Sequence, residues 1–344
     1  MQMLRTLALS GAIAALGAAA SAQEDMLELS VALGVIDANF NTTTASVFQL
    51  ADEMGYFERH GVHVTYVALD GTPAAVAALN SGAVDLADIG IDAAIRLRAE
   101  NDVPVRGFIT TSIGPAFLIA GRDDIQTLAD LAGRSFAVAD NGSLDHTLTQ
   151  AVLRASGVEE PSWVAIGAPD VRVQALAAGQ VDATTVSYGT WSSIEGTAGL
   201  HVILSPDDFA SDAPTMTKFV AGLESTFEEK HEAIQRFTDA LLDASRALQA
   251  DPGSWVEAAV AGRPDLTREA LERTAQLNLT RWCVNGCMRP ENVQDAIDFI
   301  YSNPEFAEVP MVAADDLVDY SFTEHSIETM GAAGGNALTH ATRG

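Results

Sequence analysis

Lysine is almost missing from this chain. Lys218 and Lys230 are the only two in 344 residues, Asp and Glu number 47, and the formal net charge is −28. A surface this acidic has no basic patch with which to neutralise phosphates, which argues against nucleic acid as a partner. Neither lysine falls in a loop expected to line a cleft, so a pyridoxal Schiff base has no support. No G-x-S-x-G is present for a nucleophile elbow and no H-E-x-x-H for a zinc hydrolase. Cysteine is equally scarce, with Cys283 and Cys287 the only pair. A zinc site needs about two more ligands, none of them nearby, and a redox motif would separate its cysteines by two residues rather than three. Aromatics make up 6% of the chain, so the core must be built largely from Ala, Val, Leu and Ile. Beyond the N-terminus no stretch is long and apolar enough to span a bilayer.

What is present begins with a separable leader. Arg5 supplies a positive start, residues 7–20 are apolar, and Ala20-Ser21-Ala22 forms a small-residue cleavage site before Gln23. Residues 1–22 therefore read as a secretory signal peptide. No Cys follows the apolar run, so no lipid anchor is expected, and the mature protein should be periplasmic. In that oxidising compartment Cys283 and Cys287 are expected to close a small disulfide around the Asn285-Gly286 turn, with free thiols as the alternative.

The densest stretch is residues 55–88. Tyr56-Phe57 closes a helix and His60-Gly61 turns the chain. Apolar alternation over 62–69 predicts a strand. Gly71-Thr72-Pro73 starts a helix, and Ser81-Gly82 stops it. Strand and helix alternate elsewhere too. Strands are expected over 27–35, 85–89, 105–112, 116–120, 135–139, 163–166 and 182–187, and helices over 45–57, 92–99, 144–155 and 170–178. This is an α/β pattern with largely parallel pairing. Residues 75–85 (AVAALNSGAVD) and 173–182 (VQALAAGQVD) repeat one theme: a short helix, a glycine stop, then Val-Asp opening a strand. The theme predicts two like lobes joined by crossings near 112–120 and 215–221. Residues 23–118 plus 216–300 form lobe one and 119–215 lobe two. Helices follow over 228–250, 255–260, 268–277 and 291–300, then a C-terminal extension over 301–330 and a Gly- and Ala-rich tail over 331–344, expected to be disordered.

The segments GYFERHGVHVTYV, ALNSGAVDLADIG, ADNGSLDHTL and LAAGQVDATTVS, behind a signal peptide, resemble the type II periplasmic solute-binding proteins of ABC importers. The group they resemble binds sulfonates, nitrate, taurine or thiamine-precursor pyrimidines. The resemblance covers about residues 28–240. It implies a two-lobed type II periplasmic binding protein fold with a hinge, a small molecule closed between the lobes, and delivery to an inner-membrane permease. A monomer without cofactor is expected. The enzymatic relative of this group, the fungal pyrimidine synthase, carries a cysteine-rich iron motif that this chain lacks. A ligand sensor for a membrane receptor is a further alternative.

In open α/β sheets ligands bind beyond the carboxyl ends of the strands. Five loops there supply the expected site. The first holds Asp37, Asn39, Phe40, Asn41 and Thr42, where the polar groups bind or merely cap a helix. The second holds Gly71 and Thr72, and the third Asp92, a ligand contact or an N-cap. The fourth holds Asn141, Gly142 and Ser143, with Asp145 next in the helix and His146 one turn beyond Ser143. The fifth holds Ser187, Tyr188 and Trp191, which stack on a flat ligand or line the lobe interface. No Arg or Lys occurs in these loops. That favours a neutral or weakly cationic, flat heterocycle over an anion of the sulfonate, nitrate or taurine type. Replacing Phe40 or Trp191 with Ala is expected to weaken binding with little loss of fold.

Overall fold

The computed structural model describes residues 26–34, 40–69, 71–111, 113–114, 117–211, 213 and 216–334. The expected signal peptide, Asp37 and Asn39 of the first loop, and residues 335–344 of the expected tail lie outside them. Within the described residues, strands β1 (Leu27–Gly34), β2 (Val62–Leu69), β3 (Leu86–Gly90) and β4 (Val105–Ile109) enter one sheet. Strands β5 (Phe117–Arg122), β6 (Ser135–Val138), β7 (Ser162–Ala165), β8 (Ala183–Ser187) and β9 (Leu200–Leu204) form a second, and β10 (Lys218–Leu223) returns to the first. The orders are β2-β1-β3-β10-β4 and β7-β6-β8-β5-β9.

The two sheets are built alike. Each begins with three parallel strands, β2-β1-β3 and β7-β6-β8, joined through helices. The fourth strand of each, β10 or β5, is antiparallel to both its neighbours. Mainly parallel pairing therefore holds for three strands and fails at the fourth. β5 and β10 are the strands that have just crossed from the other half, so no strand–helix–strand crossover makes them parallel. β9, half-exposed at an edge, is a strand the sequence patterning did not reveal. The helix expected over 45–57 is two, Ser46–Glu53 and Tyr56–Arg59, broken where Gly55 takes φ +70°.

Alternation along the strands gives each sheet two cores. Leu29, Val31 and Leu33 of β1 face one apolar cluster, and Ala32 with Ala87 and Ile89 of β3 faces another. In the second sheet Leu118, Ala137 and Val186 point one way, and Ile119, Phe136 and Val138 the other. Covered faces on both sides suit parallel strands. The 20-residue helix His231–Ala250 packs on the first sheet through Ile234, Phe237 and Leu241. The segment 301–330, read as an extension, packs into the same half, where Leu317, Val318 and Tyr320 enter its second cluster and Phe322 its first. Cys283 and Cys287 form a disulfide with Cα atoms 5.3 Å apart, packed against Ile113. Among the described residues no helix is long and apolar enough to cross a membrane.

The repeated theme in the sequence has a physical cause. Gly82 and Gly179 both take φ +71° after their helices. Behind each, an amide reaches back five residues, Ala83 to Ala78 and Gln180 to Ala175, the bonding of a Schellman C-cap. The aspartate that follows then clasps the first strand of its own parallel trio. Asp85 Oδ2 accepts from the Ser30 amide and hydroxyl, both at 2.8 Å, and the Asp85 amide donates to Ser30 Oγ at 2.9 Å. Asp182 repeats this with Ser135 at 3.0, 2.8 and 3.0 Å. A Val-Asp pair after a glycine stop thus marks where the third strand docks beside the first.

Asp85 also pairs with Lys230 at 2.8 Å. Burial pushes its carboxyl up, but the Lys230 and Ser30 hydrogen bonds outweigh that and hold its pKa below the usual carboxylate value. A depressed pKa means the clasp contributes fully above the unfolded value of about 3.9 and is lost as pH falls through the lower, folded value. Asp85→Ala or Asp182→Ala should cost about 1.5–3 kcal/mol, the range for hydrogen bonds to a charged group. Urea denaturation at neutral pH measures this, and for Asp85→Ala the deficit should shrink as pH is lowered below about 4. A pH-independent deficit would mean that Asp85 acts by packing alone.

Candidate functional site

Three strand ends and four helix starts meet between the two halves. Gly34 ends β1, Gly90 ends β3 and Ser187 ends β8, and all three line one cavity of ≈ 110 Å³. One water needs about 10–15 Å³ by this kind of measure, so the space admits a molecule of several heavy atoms. Thr43, Thr44 and Ala45 reach it just ahead of the helix Ser46–Glu53, and Thr72 opens the helix Thr72–Asn80. From the other half come Leu144 and Asp145 at the start of Leu144–Ala155, and Pro169 and Arg172 at the start of Pro169–Ala177. Helix N-termini carry free N–H groups and a partial positive charge, so their convergence makes the cavity hospitable to negative charge.

Three cationic side chains enter this cavity from outside the five loops singled out in the sequence. Lys218 at the start of β10 is paired with Asp88 of β3, whose side chain is 5% exposed. Arg172 and Asp145, each 1% exposed, are paired at 2.7 Å, and the same Asp145 oxygen accepts from the Ala139 amide at 2.9 Å. Arg281 differs. Its guanidinium donates to the Gly114 carbonyl at 3.3 Å, and no carboxylate lies within ion-pair reach among the described residues. Burial pushes its pKa down from the usual arginine value, the mark of a charge held partly out of water. With Asp88 and Asp145 spent on Lys218 and Arg172, Arg281 is the cation of the cavity that no carboxylate pairs with among the described residues, although Asp207 attracts it from beyond contact distance.

The sequence-singled residues divide sharply. Asn41, Thr72 and Ser187 line the cavity, as does Asp145. Asn41 Oδ1 accepts from the Thr43 amide at 2.9 Å and hydroxyl at 2.7 Å, which leaves its NH2 group without a protein partner among the described residues. The Ser187 hydroxyl is engaged, accepting from the Thr190 amide at 3.1 Å as a helix cap. Gly71 allows the halves to close: a Cβ there would stand 2.8 Å from Ser143 Oγ. Thr42 is buried against Gly189 and does not line the cavity. Asp92, Gly142 and His146 border a neighbouring cavity of ≈ 270 Å³ that shares Thr72. There Asp92 accepts from the Thr147 hydroxyl at 3.3 Å, and burial pushes its carboxyl pKa up. His146 takes a hydrogen bond on Nδ1 from the Gly142 amide at 3.1 Å, and burial pushes its pKa down. Asn141 is exposed and lines neither cavity.

The aromatic residues are a correction. Phe40 is 4% exposed, its ring edge-on to Trp255 at 5.7 Å, and it fills the space that Gly262 leaves open. Trp191 is 3% exposed in the core with Leu118 and Val186. Tyr188 donates to Glu195 at 3.3 Å beside the Arg273 guanidinium, outside the cavity. Loops rich in polar residues suggested exposure, but burial of these rings contributes more than a stacking platform would. One further residue was within reach of the sequence. Carrying the correspondence of 75–85 with 173–182 a few positions back leads from Thr72-Pro73 to the turn that holds Pro169 and Arg172. Lys218 and Arg281 had no local signal. Phe40→Ala or Trp191→Ala should lower folding stability by about 3–5 kcal/mol in urea denaturation. Unchanged stability with weakened ligand binding would return these rings to the site.

The NMT1/THI5-like family model matches residues 42–254, more than half of the chain. A protein of Brucella abortus (strain 2308), named as a binding protein, is 27% identical over 217 residues, covering 62% of this chain and 66% of its own length. The alkanesulfonate-binding protein SsuA from Xanthomonas axonopodis pv. citri, solved with MOPS, superposes with a TM-score of 0.67 at 18% identity, over 86% of this chain and 99% of that one. The periplasmic nitrate-binding protein NrtA from Synechocystis PCC 6803 gives 0.68 at 13% identity, over 93% of both chains. At these identities the solved structures speak for the fold, and both share the two-sheet periplasmic binding architecture. The family model, matched from Thr42 through the strands β2 to β10, speaks for descent: this chain belongs to the NMT1/THI5-like family.

Proposed function

We propose that this protein is the extracytoplasmic solute-binding component of an ABC importer, and that its cargo is a small anion. The observation that carries the cargo class is Arg281, a half-buried guanidinium facing the inter-lobe cavity with no carboxylate partner among the described residues. The convergent helix N-termini and the free NH2 of Asn41 add donors and no further negative charge. The loops considered alone favoured a neutral heterocycle because they hold no Arg or Lys. The balance changes once Arg172, Lys218 and Arg281 are counted with them. Relatives named for binding alkanesulfonate and nitrate support this reading.

In this reading residues 23–118 with 216–300 act as one lobe and 119–215 as the other. Export depends on residues 1–22, and a monomer passes its ligand to a permease. The role in this reading is capture rather than catalysis. Calorimetry and thermal shift on the mature protein test it with alkanesulfonates, nitrate and neutral pyrimidines. One anion should bind with 1:1 stoichiometry and raise the melting temperature. Arg281→Met should weaken that anion at least about tenfold, the scale of one charge-assisted hydrogen bond. Binding of neutral pyrimidines alone would overturn the anion reading.

A further inference from the structure

We propose that the Cys283–Cys287 disulfide is a positioning element for the ligand: it holds Arg281 in the cleft. The inference rests on the reading of Arg281 above and adds how that side chain comes to be there. Arg281 belongs to no helix or strand. It follows the helix Arg268–Leu279 and stands two residues before Cys283, in the connection to the helix Pro290–Tyr301. A guanidinium on such a stretch would ordinarily swing into water, where its charge is better solvated.

What prevents this is a short run of backbone bonds to the segment that leaves β4 for the other half. The Ile113 amide donates to the Arg281 carbonyl at 3.1 Å, Cys283 to Thr111 at 3.3 Å, and Thr110 to Gly286 at 3.2 Å. These bonds require the chain to turn back between 283 and 287. The turn places Gly286 at φ +80° and Cys287 at φ +55°. For a residue other than glycine that left-handed conformation is unfavourable. The disulfide ties Cys287 to Cys283 and keeps it there, with both sulfurs buried against Ile113. Without the link Cys287 is free to relax to negative φ. Gly286 then shifts, the bonds at Thr110 and Thr111 loosen, and the Arg281 carbonyl loses its fixed partner at Ile113. The side chain facing Gly114 and the cavity moves with it.

The test is a double-mutant cycle on anion affinity, with wild type, C283A/C287A, R281M and the triple variant. Alanines suit the apolar pocket beside Ile113 and avoid burying hydroxyls. The probe is whichever alkanesulfonate or nitrate the wild type binds. The disulfide variant should bind about fivefold more weakly, and the triple variant should be no weaker than R281M alone, because the two changes act through one contact. A merely structural disulfide would lower the melting temperature yet multiply with R281M, or leave affinity untouched, and either outcome overturns the proposal. Should C283A/C287A fail to fold, phosphine reduction of the folded wild type and of R281M makes the same comparison without that substitution. If the wild type binds no anion, the cargo reading fails. If R281M loses affinity while the disulfide variant keeps it, only the positioning role fails.

Discussion

The cost of holding charge away from water governs this cleft. Two of its three cations are neutralised on the spot, Lys218 by Asp88 and Arg172 by Asp145. Removing either carboxylate would strand a buried charge, an arrangement that costs far more than an exposed pair contributes. The paired groups therefore set the shape and dryness of the cavity walls, while Arg281, with only the Gly114 carbonyl, is left with bonding capacity to spare. On the proposed reading, a ligand that brings a negative charge would complete that bonding, and the imbalance rather than any single loop would set the preference.

The position of the cavity follows from how the halves are built. Each half repeats one unit: a parallel strand trio, a helix stopped by a left-handed glycine, and an aspartate that clasps a serine on the first strand. Repeating the unit directs the same ends of both sheets toward each other, so helix N-termini from both halves face one space. The crossing strands β5 and β10 insert antiparallel beside the third strand of each trio and bring Phe117 and Lys218 to the cavity at the very points of crossing. The close approach of Gly71 to Ser143 then seals the halves beside it.

Polar loop composition was a poor guide to which side chains meet a ligand. Phe40 lies ahead of the helix Ser46–Glu53 and Trp191 ends a one-turn helix, Tyr188–Trp191, directly after β8, where a binding platform would be, yet each is surrounded by core. A chain with 6% aromatics has few large rings, and the space under two covered sheets is where they contribute most to stability. Two small polar residues, Asn41 beside Phe40 and Thr72 at the start of the helix Thr72–Asn80, do reach the cavity.

By itself the sequence determined the α/β class, the two-fold repetition, and which ends of the strands look into the space between the halves. These are legible because hydrophobic period, glycine stops and Val-Asp punctuation are local consequences of backbone geometry. Only the tertiary structure decided the charge of the site. Arg172 lies one helix turn inside a helix, Lys218 on a returning strand, and Arg281 behind a disulfide more than 200 residues from Asn41 in the same wall. Their meeting depends on the packing of the lobes, and electrostatics acts through space without regard to order along the chain.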